Sequence, residues 1–105
     1  MPTKEIAGIT VDVNEEGYFT HPDQWTEDMA GVLAQEAGIG ELGEGHWKII
    51  NFLRQDYAEK GVMPTIRRIK NAGGIPTKDL YDLFPGGPLK ISSKIAGLPK
   101  PASCI

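Results

Sequence analysis

The longest helix is predicted by residues 44–60, which read EGHWKIINFLRQDYAEK. One face of this stretch repeats large side chains at helical spacing: Trp47, Ile50, Leu53, Arg54 and Tyr57, flanked by Ile49 and Phe52. An apolar stripe this wide is typical of a helix that packs against several others. Gly61 follows the stripe, and a glycine at this position favours the end of the helix because it readily adopts the left-handed backbone conformation. We therefore expect residues 44–60 to form the central helix of a small, mainly α-helical, orthogonal bundle.

The chain before this helix predicts a β-hairpin and one further helix. Alternating apolar residues over 9–13, followed by the turn sequence Asn-Glu-Glu-Gly at 14–17, place a hairpin within residues 4–19. Thr26 is a suitable N-cap for the next helix, and Gly38 ends that helix. Since an isolated hairpin is marginally stable, its apolar face is expected to pack on the helices.

Residues 64–84 predict two short helices separated by Gly73-Gly74, the order of a helix-turn-helix unit. Five basic residues lie between positions 60 and 78 with no acid among them: Lys60, Arg67, Arg68, Lys70 and Lys78. Clustered Lys and Arg suit phosphate contact, so one hypothesis is a DNA-binding regulator, gated by oxidation of Cys104. The alternative is a solvated basic face, which agrees better with the net charge of −3.

Regular structure is predicted to end at Pro85, because Gly86, Gly87 and Pro88 follow it. This boundary divides the chain into a domain of hairpin and helical bundle over residues 1–85 and a flexible C-terminal arm over residues 86–105. The arm holds three lysines and no acidic side chain, whereas residues 1–84 hold fourteen acids and eight bases. A cationic arm is expected to lie on its own acidic domain or to enter an acidic or anion-binding cleft of a partner.

The only cysteine among the 105 residues is Cys104, the last residue but one. A thiol in this position is expected to be exposed rather than structural. It is not the nucleophile of a self-contained hydrolase, because neither His21 nor His46 lies on the arm to act as a general base. A thiolate does accept sulfane sulfur from a partner's persulfide and pass it on. Carrying sulfur is therefore one role open to this thiol, and whether such a protein counts as an enzyme is left open.

Several classes of protein are disfavoured. No apolar run approaches the ~20 residues that span a bilayer, and the first residues lack the pattern of a secretory signal. A lone cysteine forms no internal disulfide, so a cytoplasmic location is expected. The spacing of His and Cys provides no metal-binding motif, and no cofactor is expected.

Two C-terminal motifs carry a family resemblance: LFPGGP at 83–88, and KIAGLPKP at 94–101, followed by Cys104. They resemble the C-terminal signature of the DsrC/TusE family of sulfur-carrier proteins. Other motifs of the family occur here in the same order: GYF at 17–19, Trp25, GHWKIINFLRQDY at 45–57, PTIR at 64–67 and LYDLFP at 80–85. The resemblance implies persulfide relay through Cys104 from a donor protein that carries a persulfide cysteine. The implied acceptor is sulfite reductase, with any siroheme in that partner, or a transfer-RNA thiolation enzyme.

The resemblance leaves the branch of the family open. Members associated with dissimilatory sulfite reductase resemble this chain but carry a second arm cysteine where Ser93 stands here, so two-cysteine disulfide chemistry is not implied. A single cysteine is similar to the TusE branch. Segment 71–78, however, is shorter than in TusE-like members and is similar to that of sulfite-reductase-associated proteins. A third branch of single-cysteine, DsrC-like proteins satisfies both observations.

The resemblance also implies that two basic residues help to dock the arm or recognise an anionic sulfur species: Arg67 in the Pro-x-x-Arg helix and Lys94 before IAGLPKP. Lys100, near Cys104, is a further candidate for docking the arm or a partner. The residues alone leave two plainer interpretations open, in which Arg67 pairs with a carboxylate and Lys94 is solvated.

Overall fold

The computed structural model describes residues 2–101, which form a two-stranded sheet and five α-helices. The strands are β1 (Thr3–Ile6) and β2 (Ile9–Asp12), and a single 3-10 turn (Pro22–Gln24) follows them. The helices are α1 (Glu27–Glu36), α2 (Glu44–Lys60), α3 (Ile66–Asn71), α4 (Thr77–Leu83) and α5 (Pro88–Ile95). The predicted fold class, mainly helical with an N-terminal hairpin, is confirmed.

Helix α2 has the bounds that the sequence predicts and lies at the centre of the fold. Its apolar face buries Ile49, Ile50 and Leu53 against α4 and α5. Gly61 ends it in the left-handed conformation with φ +74°, and the Gly61 N–H donates to the carbonyl of Tyr57. An apolar stripe and a glycine stop are local signals, which explains why the prediction of this helix is accurate.

The hairpin is present, but the predicted pairing of its strands is wrong. The predicted turn at 14–17 leads only to an isolated bridge between Val13 and Phe19. The main pairing joins β1 to β2 through the two-residue loop Ala7-Gly8, with Ile6 opposite Ile9. Both loop residues have positive φ, as in the hairpin turns whose twist matches that of the strands. Alanine is an uncommon residue in that conformation, so the sequence carries a weak signal for this turn.

The predicted pair of short helices in residues 64–84 is confirmed as α3 and α4. The Thr65 hydroxyl caps α3 by accepting a hydrogen bond from the Arg68 N–H. The Arg68 guanidinium in turn donates to both carboxylate oxygens of Asp56, a buried residue of α2. A charged pair therefore fixes the helix-turn-helix half to the central helix.

The prediction that regular structure ends at Pro85 is wrong, because residues 88–95 form α5. Gly86 and Gly87, both with positive φ, make the turn that precedes this helix. Pro88 then occupies the first helical turn, where its missing N–H costs nothing. Leu89 and Ile95 are buried, and α5 packs on α1, α2 and α4. The first part of the predicted flexible arm is therefore a helix of the bundle core.

In the described part of the chain, residues 2–101, no helix is long and apolar enough to cross a membrane.

Candidate functional site

Residues 95–101, here called the tail root, begin at the last residue of α5 and precede Cys104 in the sequence. Two side chains from other elements hold the start of this segment. The Trp25 indole N–H donates to the Ile95 carbonyl at 2.8 Å. The Arg54 guanidinium donates to the Ala96 carbonyl at 2.7 Å through Nη1, and to the Pro22 carbonyl at 3.2 Å through Nη2. These bonds tie the tail root to α2 and to the 3-10 turn.

Arg54 also stacks on Trp25, with its guanidinium carbon 4.2 Å from the ring centroid. A cation placed over an indole face is attracted by the ring's quadrupole. Partial burial lowers the pKa of Arg54, because desolvation disfavours the charged form. Trp25 and Arg54 therefore form one unit, here called the clamp. Their side chains donate hydrogen bonds to backbone carbonyls of the tail root.

Gly97 allows the tail root to lie against the clamp. Its φ of +68° is left-handed, and a Cβ placed on it would lie 2.2 Å from Cδ1 of Trp25. The next residue, Leu98, is buried; its N–H donates to the Ser93 carbonyl and its carbonyl accepts from the Phe19 N–H at 3.2 Å. Pro101 is also buried. The tail root is thus buried over residues 95–98 and again at Pro101, whereas Pro99 is half-buried and Lys100 is exposed.

Two of the predicted docking lysines hold this region instead of projecting freely. Lys94 Nζ lies 4.9 Å from the centroid of the Tyr18 ring, and Lys100 Nζ lies 2.8 Å from a carboxylate oxygen of Glu16. The hydrogen bond from Lys100 lowers the pKa of Glu16, and the charges of Lys100, Lys94 and Lys90 act in the same direction. The lysines of the predicted arm therefore surround an acidic residue of the domain.

Replacing Lys100 with glutamine is expected to raise the pKa of Glu16 toward its ordinary value. Because the folded-state pKa lies below the unfolded one, the pair stabilises the fold above the ordinary glutamate pKa. That contribution is lost as the pH falls through the folded-state value. NMR titration of the Glu16 side-chain carboxyl carbon, compared between wild type and Lys100→Gln, measures the shift. An unchanged Glu16 titration in the variant would contradict the pairing.

The structure describes the position of Ser93 but not that of Cys104. Ser93, predicted to lie on the arm, is fully buried in α5, and its hydroxyl donates to the Leu89 carbonyl at 2.6 Å. Cys104 lies outside the described residues. It follows Pro101 by three positions, so covalent geometry alone keeps its Cα within about 11 Å of the Pro101 Cα.

Arg67 is exposed on α3, and within residues 2–101 its side chain forms no hydrogen bond or ion pair. Lys94 directly precedes the tail root and Lys100 belongs to it, and both contact the domain there, whereas Arg67 has no hydrogen bond or ion pair with residues 95–101. Nor do His, Asp and Glu side chains of the described range form a group of three that could hold a metal ion. No local sequence pattern predicts the clamp; its one signal in the sequence is Arg54, a charged residue on the apolar stripe of α2.

Comparison with known proteins identifies the family. The family model described as "DsrC like protein" matches residues 5–105. The chain is 41% identical to a sulfurtransferase TusE homolog of Haemophilus influenzae, over 95% of this chain and 97% of that protein. It is 36% identical to the gamma subunit of the dissimilatory-type sulfite reductase of Nitratidesulfovibrio vulgaris, over 93% of each chain.

A solved structure matches over nearly the whole length as well. A chain in the crystal structure of dissimilatory sulfite reductase I (DsrI) superposes with a TM-score of 0.87 at 36% identity, covering 99% of this chain and 100% of that one. The resemblance predicted from the C-terminal motifs is confirmed: the chain belongs to the DsrC-like protein family.

Proposed function

We propose that this protein is a sulfur-relay carrier that holds sulfane sulfur on Cys104. Membership of the DsrC-like family supports the proposal, since its relatives are named as TusE sulfurtransferases and as a gamma subunit of sulfite reductase. The observation that carries it is the tail root. A packed segment, held by the clamp, precedes the only thiol of the chain by three residues.

The transfer needs one thiolate and no oxidant. The Cys104 thiolate bonds to the outer sulfur of a donor persulfide, the donor's sulfur–sulfur bond breaks, and the donor cysteine leaves as a thiolate. Attack by an acceptor thiolate on the outer sulfur of the Cys104 persulfide then repeats the same step. Ser93 offers no second thiol, so an internal disulfide plays no part in this cycle.

The proposed partners are those that the family resemblance implies, and the relatives' names agree with a role in sulfur transfer. A donor protein with a persulfide cysteine loads Cys104, and sulfite reductase or a transfer-RNA thiolation enzyme accepts the sulfur; any siroheme belongs to the reductase. Lys94 and Lys100 hold the tail root on Tyr18 and Glu16, while the exposed Arg67 is a contact for a partner. A reducing cytoplasm suits a carrier whose thiol must stay available between transfers.

The DNA-binding alternative has no support. Of the five basic residues between positions 60 and 78, Arg68 is paired with Asp56 and Lys78 with Asp82. This pairing reduces the positive charge that a phosphate backbone would meet. None of the relatives reported above is named as a DNA-binding protein.

Exposure of the reduced protein to glutathione persulfide is expected to add about 32 Da, the mass of one sulfur atom on a thiolate. Intact-protein mass spectrometry measures the adduct, and Cys104→Ser should abolish it completely. The control variant Ser103→Ala changes the residue next to Cys104 but keeps the thiol, so it should give the full yield of the adduct. Sulfur on the Cys104→Ser protein, or none on the wild type, would refute the proposal.

A further inference from the structure

The short distance between the tail root and Cys104 limits where a partner can bind. Pro101 is buried and the segment before it is bonded to Phe19, Trp25 and Arg54. While this packing holds, the Cα of Cys104 stays within about 11 Å of the Pro101 Cα. A protein that brings its own cysteine to Cys104 must therefore cover the surface next to the tail root.

An apolar groove lies on that surface. It has a volume of about 320 Å³ and runs beside Pro99 and Lys100; its other walls come from the end of α2 and the loop after it, at Tyr57, Gly61, Val62 and Met63. A neighbouring cavity of about 440 Å³ shares Val62 and Met63 and extends the groove toward α3.

Val62 is the most exposed large apolar side chain among residues 2–101, with 65% of its surface accessible. Its neighbours Tyr57 and Met63 are half-buried, so they form a floor against which a further apolar side chain would pack. Exposed apolar side chains beside a groove mark surfaces that a partner covers. Because this surface lies next to the tail root, a protein that covers it also comes within reach of Cys104.

We propose that this groove docks the sulfur-donor protein, which inserts an apolar side chain that neighbours its persulfide cysteine. The inference rests on the carrier function proposed above and names the surface by which the donor is recognised. Docking over Val62 places the donor persulfide within reach of Cys104 while the clamp stays closed. A small persulfide needs no such surface, because it diffuses to the thiol directly.

The test compares a protein donor with a small one. A rhodanese-type sulfurtransferase loaded from thiosulfate carries a persulfide cysteine and serves as the protein donor; glutathione persulfide serves as the small donor. Val62→Glu places a charge in the groove and is expected to slow transfer from the rhodanese by about tenfold or more. Transfer from glutathione persulfide should stay within about twofold of wild type, since the thiol itself is unchanged.

Two control variants separate docking from general effects of substitution. Ile9→Glu introduces the same charge at an exposed apolar residue of β2, which lines neither the groove nor the neighbouring cavity, and should leave both rates unchanged. Val62→Leu keeps the groove apolar and should preserve the rate with rhodanese. Equal rates for Val62→Glu and wild type with rhodanese would overturn the docking proposal.

Other occupants of the groove give different results. If Val62→Glu speeds the reaction of Cys104 with glutathione persulfide, the chain's own last residues cover the groove, and the proposal is wrong. If sedimentation reveals a wild-type dimer that Val62→Glu dissociates, a second copy covers it, and the proposal is wrong again. A wild-type protein that takes no sulfur from glutathione persulfide would refute the carrier function itself, and the docking proposal with it.

Discussion

Replacing Gly97 with alanine is expected to lower the free energy of unfolding by about 2–4 kcal/mol, through two effects that add. A non-glycine residue in the left-handed conformation costs about 1–2 kcal/mol. The new methyl group would also lie 2.2 Å from Cδ1 of Trp25, so the ring or the tail root must move. Movement of either strains the hydrogen bond from Trp25 to Ile95 and the contact of Arg54 with Trp25.

Gly61→Ala provides the matched control. Gly61 has a similar φ of +74°, but a Cβ built there meets no heavy atom of another part of the chain within 4 Å. Its replacement is expected to cost only the backbone term, about 1–2 kcal/mol. Urea denaturation of both variants measures the two costs, and their difference isolates the clash with Trp25. Equal costs would mean that the tail root does not lie against the indole.

The contrast between α2 and α5 explains which parts of the fold the sequence predicts. Helix α2 has a long apolar stripe at helical spacing and a glycine at its C-terminal end. Both are local signals, and both predict the helix correctly. Helix α5 has only eight residues. The glycines and prolines at its ends predict a break in regular structure from Pro85 onward. In the structure they mark its two ends: Pro88 starts the helix, and Gly97 follows its last turn. Short helices gain most of their stability from tertiary packing, which local patterns do not report.

The candidate site, like the fold, is predictable from the sequence only in part. Cys104 and the motif KIAGLPKP stand out in the sequence because a lone cysteine and a run of glycine and proline are unusual by themselves. The clamp does not stand out, since Trp25 and Arg54 are separated from Ile95 and Ala96 by 70 and 42 positions, respectively. Only the packing of α5 beside α2 brings them together. A charged residue on an apolar stripe was the one available signal.

The clamp changes the expected reach of the thiol. A fully extended arm starting at Pro88 would carry Cys104 about 50 Å from the domain. With α5 folded and the tail root packed, only two residues separate the buried Pro101 from Cys104 in the sequence. Donor and acceptor proteins must then approach the domain surface itself, unless the tail root detaches. The strength of the clamp therefore decides which of these two situations applies.

Replacing Arg54 with methionine is expected to weaken the clamp, because the Ala96 and Pro22 carbonyls lose their charged donor. Hydrogen bonds to charged groups contribute about 1.5–3 kcal/mol each, and the stacking on Trp25 is lost as well. Methionine keeps part of the apolar contact, so a net loss of about 2–4 kcal/mol in the free energy of unfolding is expected. Arg67→Met removes an exposed arginine and should change that free energy by no more than about 0.5 kcal/mol.

Native-state hydrogen exchange locates the effect of the Arg54 substitution. The Phe19 amide donates to Leu98 and the Leu98 amide to Ser93, so both report on the tail root. The Ile69 amide, bonded to Thr65 within α3, reports on the rest of the domain. If the tail root detaches locally, exchange at Phe19 and Leu98 accelerates more than exchange at Ile69. Equal acceleration at all three amides would mean that the tail root separates only when the whole domain unfolds, and that Arg54 does not control it.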